Sequence, residues 1–481
     1  MVVARPSSRH LPSIWKRLSS TTTFTAKAIP SKSHLHQPIP DSHFPKGYAL
    51  TGLHCGVKKD PSAPDLAVLL STSPNSTASA VCTTINAFKA APVLVTKDVQ
   101  EKTAGRARAL VVNSGCANAV TGTKGMEDAW AMMRATDALL DHPQSRESSS
   151  EKPGETLVMS TGVIGQLLPI SKILAGINAS RSTLGSAFSS WELFARGFMT
   201  TDTFTKLRAR TFSIKGREYR MAGVDKGAGM IHPNMGPVGP PHATLLGCIV
   251  TDAPVSPSSL SKALTYAVER SFNSISVDGD MSTNDTIVAF ANGAAVEKGD
   301  VAAVEIDEAK DEEAYIGFRD ELTGFAQDLA KLVVRDGEGA TKFVTVSVEG
   351  AATYSDAHKI ASRISTSALV KTALYGEDAN WGRILAATGS LPLSTPLNPS
   401  AVSVSFIPVP PSAPTSTFNF TPLALLVNGE PENVDEERAK EIVSQGDLEI
   451  RVELGMGKES AKYWTCDFSY EYVRINGDYR S

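Results

Sequence analysis

Apolar positions along this chain switch repeatedly between two spacings. In "DLAVLLS" (65–71) and "ALVVNSGCANA" (109–119) they run together and then stop at small residues. That pattern predicts strands running into tight loops. From Met126 the spacing lengthens: Met126, Ala129, Trp130, Met133 and Leu140 recur at helical intervals, which predicts an amphipathic helix. "ETLVMSTGVIGQ" (155–166) reads as a strand broken at glycines, and residues 170–198 as largely helical. "RTFSIKGREYRMAGV" (210–224) reads as a hairpin turning near Lys215-Gly216. The second half repeats the alternation. "TLLGCIVTDA" (244–253) is almost continuously apolar, the mark of a buried strand. A helix capped by Ser256 or Ser258 should follow it. Phe318, Leu322, Phe325, Leu329 and Leu332 form a helical stripe. Val344, Val346 and Val348 share one strand face, as do Leu448, Ile450, Val452 and Leu454. Two segments read as exposed insertions: acidic 304–313 and Pro- and Ser-rich 406–422. Strands alternating with helices in both halves place the chain in the α/β or α+β class.

The length, 481 residues, allows two to three domain-sized units or one large α/β body. A net charge of -4 gives no electrostatic case for nucleic acid as a partner. No uninterrupted apolar run is long enough to span a bilayer, so no membrane partner is expected. Five scattered cysteines without a CxxC pair argue against a disulfide framework and fit a reducing compartment. The nine histidines lack metal-ligand spacing, so no metal site is expected. Residues 1–40 differ in composition. They hold no Asp or Glu, carry Arg5, Arg9, Lys16, Arg17, Lys27 and Lys32, and are rich in Ser and Thr. This is the composition of a mitochondrial presequence, and the plainer alternative is a weakly basic tail.

Candidate chemistry starts from what is missing: the chain has no P-loop, HExxH or GxSxG. "RDGEGA" (335–340) falls short of a glycine-rich pyrophosphate turn because it follows a helical pattern rather than a strand. "KGAGMIHPNMGPVGPPHATLLGCIV" (226–250) is more informative. Its Gly/Pro-rich approach ends at Ala243 and Thr244, where the buried strand begins. A threonine hydroxyl is a poor nucleophile without a base. If the bond before Thr244 is cut, its new α-amine, with an ordinary pKa of about 7.7–8.0, can take that proton within one residue. A bent approach, a small preceding residue and an anchoring strand suit such a cut. Taken alone, the stretch is better described as a threonine that opens a buried strand after a long loop.

Six collinear segments narrow the choice: "VNSGCANA" (112–119), "MSTGVIG" (159–165), "MTTDTFTK" (199–206), "KGAGMIHPNM…ATLLGCIVTDA", "SVDGDMSTNDT" (276–286) and "DGEGATK" (336–342). Together they resemble the ornithine acetyltransferase family, also called glutamate N-acetyltransferases, from about Gly47 to Ser481. With its leader, the chain looks like a fungal-type member. The resemblance implies an α/β layered sandwich of two β-sheets between helices, of the self-cleaving N-terminal-nucleophile type. It implies a cut between Ala243 and Thr244, giving an α chain (41–243) and a β chain (244–481) that assemble as two α and two β in the mitochondrial matrix. Thr244 would be the nucleophile that carries acetyl from N-acetylornithine to glutamate, with Thr161 and Gly162 as oxyanion donors. Thr200, Lys226, Thr244, Glu338, Asn476 and Ser481 would bind substrate. No cofactor is implied, and acetyl-CoA stays open as a co-substrate. Asp278, Asp280 and Asn284 read as turn formers first and site supports second. Two departures stand out: seven residues, Gly236 to His242, lengthen the approach to Thr244, and the last residue is Ser481 where many members end in threonine. Two rival functions keep part of this reading. A self-processed amidohydrolase or aminopeptidase would use water as acceptor, and an uncut binding subunit would do no chemistry.

Overall fold

The computed structural model describes residues 27–140, 154–236, 245–297, 305–410 and 418–477. Ala243, Thr244, Ser481, most of the seven-residue lengthening and residues 1–26 of the expected presequence lie outside these ranges.

Three sheets carry the fold. The first orders Tyr48–Leu53, Leu66–Ser71, Ala109–Cys116 and Thr156–Val163. The second orders Lys206–Ile214, Arg217–Lys226, Leu246–Thr251, Thr286–Ala291, Ala78–Thr84 and Met235–Gly236. One core joins these two sheets, filled by Val95 and Val99 of helix Ala91–Lys102 and by Trp191, Phe194 and Phe198 of helix Phe188–Phe198. Helix Glu312–Arg335 packs on the other face of the second sheet. Its Phe325 and Leu329 press on Gly223 so closely that a Cβ there would lie 2.9 Å from each. The layered α/β class holds, with a third sheet beyond the two expected. That sheet orders Ile275–Ser276, Glu459–Cys466, Phe343–Ala351, Asp447–Glu453, Ser403–Pro408, Leu423–Val427 and Glu430–Pro431.

Local chemistry explains why most elements fall where the pattern places them. The hairpin turns at Lys215 and Gly216, with φ of 49° and 78°, the left-handed pair that a two-residue hairpin needs. Ser256 caps helix Pro257–Glu269 by accepting the Ser259 N–H. The alternating valines of Phe343–Ala351 and the Leu448, Ile450 and Val452 stripe all face one core.

Both expected insertions are partly built in. Ile306, inside the acidic stretch, is buried and bridges Val255, while Asp311 caps helix Glu312–Arg335. Its acids mark a helix start rather than a free loop. Phe406, Ile407 and Pro408 belong to a strand of the third sheet, with Phe406 buried. The nearby prolines hide that strand's alternation, and Pro408 is tolerated because it ends the strand.

Candidate active site

Strand Thr156–Val163, at the edge of the first sheet, delivers Thr161 and Gly162 to the seam between the first two sheets. Its ladder with Ala109–Cys116 is irregular there, because Cys116 faces both Thr161 and Val163. Gly162 has φ 126°, and a Cβ on it would lie 2.3 Å from the Gly115 carbonyl carbon, so only glycine fits. From the second sheet, strand Arg217–Lys226 ends on Lys226, paired across the ladder with Leu246. The Lys226 ammonium donates to the Thr161 hydroxyl oxygen at 3.2 Å. That hydroxyl keeps its own proton to donate elsewhere. Burial lowers the Lys226 ammonium below the ordinary lysine value, and the Asp202 carboxylate opposes that shift.

The turn after helix Glu312–Arg335 brings Glu338 to the same place. The Glu338 N–H donates to the Ala228 carbonyl at 2.8 Å. Gly229 lets the carboxylate approach, since a Cβ there would lie 2.3 Å from Glu338 Oε2. Asn476, on helix Tyr470–Gly477, donates to Glu338 Oε2 at 2.8 Å. Thr161, Gly162, Thr200, Lys226, Glu338 and Asn476 thus line one cavity of about 240 Å³, with Val163, Ile164, Thr201, Gly229 and Met230 completing the wall among the described residues. That volume is below the roughly 300–1,000 Å³ of drug-sized pockets and suits a small molecule. The first described residue after Thr244 is Leu245, whose carbonyl accepts the Thr286 N–H at 2.7 Å. The strand that Thr244 precedes therefore starts beside Lys226.

Under the cavity lies a charge cluster that sequence reasoning missed. Asp202 accepts from the N–H groups of Thr200 at 2.9 Å and Gly227 at 2.8 Å, and from the Lys206 ammonium. Lys206 also pairs with Asp336 at 2.7 Å, and all three side chains are fully buried. Burial works to raise the Asp202 carboxyl, yet Lys206 and Lys226 outweigh it and hold it well below the usual range. Asp202 and Lys206 are four apart in "MTTDTFTK", and Asp336 opens "DGEGATK"; their position inside those motifs was the available signal. Asp225 and Asp285 are also buried, and their carboxyl oxygens have no hydrogen-bond partner among the described residues. Burial pushes both carboxyls well up.

The segment read as turn formers has structural work to do. Asp278 accepts the N–H groups of Met230 and Ile231 at 2.6 and 2.8 Å, fixing the cavity's rim. Asn284 donates to the carbonyls of Ala117 and Ser160 at 2.6 and 2.7 Å, and so braces the strand one residue before Thr161. Asp280 lies outside the cavity wall; its N–H donates to Asp278 at 3.2 Å. Among the described residues no group of three His, Cys, Asp or Glu is placed to hold a metal ion. Nor is any helix there long and apolar enough to cross a membrane.

Comparison with known proteins extends this picture over the whole chain. "Arginine biosynthesis bifunctional protein ArgJ, mitochondrial" of Postia placenta is 68% identical over 482 residues, covering 98% of this chain and 100% of the relative. The protein of the same name from Laccaria bicolor is 66% identical, covering 97% and 99%. A solved structure, ornithine acetyltransferase of Mycobacterium tuberculosis complexed with ornithine, is 33% identical with a TM-score of 0.33, covering 40% of this chain and 94% of that one. The model of the ArgJ family matches residues 49–481. With that match across both halves and relatives aligned end to end at two-thirds identity, the chain belongs to the ArgJ family.

Proposed function

We propose that this chain is a mitochondrial enzyme of arginine biosynthesis that moves acetyl from N-acetylornithine to glutamate on Thr244, after cutting itself between Ala243 and Thr244. The convergence of Thr161, Gly162, Thr200, Lys226, Glu338 and Asn476 on one small cavity, beside the start of the strand that Thr244 precedes, carries this reading. The names of its relatives support both the pathway and the compartment. The matrix is the destination that the basic, acid-free leader suits.

In the cut, the Thr244 hydroxyl attacks the Ala243 carbonyl carbon and the peptide shifts to an ester. Water then hydrolyses that ester, leaving the Ala243 carboxylate and a free Thr244 amine. In catalysis the amine accepts the hydroxyl proton while the oxygen attacks the acetyl carbon of N-acetylornithine. The developing oxyanion takes a hydrogen bond from the Gly162 N–H and one from the Thr161 hydroxyl, which Lys226 polarises by donating to its oxygen. The proton passes to the departing nitrogen and ornithine leaves. Glutamate's amine then attacks acetyl-Thr244, and N-acetylglutamate leaves with the threonine hydroxyl restored. In this reading Lys226 holds a substrate carboxylate, while Glu338, Asn476, Thr200 and Ser481 hold the amino-acid groups.

The interleaving of the second sheet supports survival of the cut. Leu246–Thr251 and Thr286–Ala291, after residue 244, sit between Arg217–Lys226 and Ala78–Thr84, before it. An α chain ending at Ala243 and a β chain of 244–481 would stay hydrogen-bonded along two ladders. Assembly of two such pairs is part of the proposal. Acetyl-CoA is retained as a second donor, since the relatives are named bifunctional. A neighbouring groove of about 490 Å³ that shares Thr200 gives a larger donor an approach. The test is product analysis with N-acetylornithine and glutamate. N-acetylglutamate and ornithine in equal amounts are expected; free acetate in place of N-acetylglutamate would identify an amidohydrolase, and no product an uncut binding subunit.

A further inference from the structure

Residues 27–37 fall within the stretch whose composition reads as leader, and ahead of residue 49, where the family match begins. Yet they are tied to the body along their length. The Lys27 ammonium donates to the Tyr375 carbonyl at 2.6 Å and pairs with Glu377 at 2.7 Å. The Lys32 ammonium donates to the Gly337 carbonyl at 3.3 Å and stands 3.9 Å from the buried Asp336 carboxylate. Leu35 packs against the core under helix Glu312–Arg335, and its carbonyl accepts from Arg208 at 3.0 Å. His36 lies 3.5 Å from Glu192. A presequence that is removed has no use for such specific anchors.

The partners have a pattern. Tyr375, Glu377, Asp336 and Gly337 all follow residue 244, whereas the strap and Arg208 precede it. Lys32 reaches the turn that carries Glu338. That turn is held from below by Lys206 and Thr203 on Asp336, and from the side by the Ala228 carbonyl on the Glu338 N–H. Lys32 adds a hold on the carbonyl between them, with its side chain only 11% exposed.

We propose that residues 27–37 belong to the working enzyme as a strap that clamps the segment after the cut to the segment before it, with Lys32 as a positioning residue for the Asp336–Gly337–Glu338 turn. The effect on substrate rests on the reading of Glu338 as a substrate contact; the strap itself does not. Import processing would then have to stop at or before Lys27.

Two measurements test this. Mass spectrometry of the protein purified from mitochondria should find an amino terminus at or before Lys27; one beyond Lys27 would overturn the proposal. In a chain beginning at Lys27, Lys32→Met should speed amide exchange of the peptide spanning residues 335–340 about fivefold, the loss expected from one partly buried ionic contact. KM for glutamate should rise by a similar factor while kcat stays within about twofold, and Lys32→Arg should restore most of both. Unchanged exchange in Lys32→Met would overturn the positioning role. Faster exchange in a chain that makes no N-acetylglutamate would leave the strap standing and remove the transferase reading.

Discussion

The second and third sheets are built from similar strands but from different parts of the chain. Every strand of the third comes after residue 244. The second threads two strands from after that residue between strands from before it. The third packs its valines, leucines and isoleucines into a core of its own with nearby helices, and its Ile275, Phe343, Trp464 and Cys466 reach the core of the second. The second ends, at Lys226 and Leu246, on a cavity backed by buried Asp202, Lys206 and Asp336. A sheet drawn wholly from one side of residue 244 can be stable without supplying chemistry. A sheet assembled from both sides of the proposed cut would hold the new chain end against Lys226 and the cavity beside it.

Three substitutions and one pH profile probe that contrast. Lys206→Met should have the largest effect on stability, since it strands Asp202 and Asp336 as buried charges without their shared partner. A loss of about 3–5 kcal/mol in urea unfolding is expected, with the two segments separating on gel filtration. Gly162→Ala forces a Cβ into the Gly115 backbone. It should lower kcat about 10²–10³-fold by displacing an oxyanion donor, while circular dichroism stays native. Lys226 gives a pH signature. Its charged form is the one that would hold a carboxylate, and burial sets its folded value below the ordinary 10.5. KM should therefore begin to rise on the alkaline side before pH 10.5, by roughly tenfold per pH unit once the charge is gone. A KM flat to pH 11 would remove Lys226 from substrate binding. Ile450→Val, in the third sheet, should cost only about 1 kcal/mol and leave KM and kcat unchanged; a kinetic effect would tie the third sheet's own core to the cavity.

The third sheet was the easier to read from sequence. Val344, Val346 and Val348 alternate, and so do Leu448, Ile450 and Val452, because one face of each strand is buried. The Lys215-Gly216 turn was legible for a local reason, its positive φ pair. Site residues were legible only through motif resemblance. Nothing near Asn476 in the chain indicates that its amide meets Glu338. Asp202, Lys206 and Asp336 look like ordinary solvated charges until tertiary packing places them together. Asp225 gave no signal and Asp285 only its place in "SVDGDMSTNDT": an acid next to an apolar run reads as a strand end, and burial on both faces comes from layers far away in the chain. The same blindness turned Ile306 and Phe406 into surface residues, since an apolar residue among acids or prolines has no visible period.

The proposed transfer turns on the Thr244 hydroxyl, freed by a cut after Ala243, as the carrier of the acetyl group. Intact-mass analysis of the purified protein mixed with N-acetylornithine and no acceptor tests it directly. Two co-purifying pieces are expected, the second beginning at Thr244 and heavier by one acetyl group that glutamate removes, with a single unacetylated chain for Thr244→Ala. Full transfer activity in an uncut Thr244→Ala chain would contradict it.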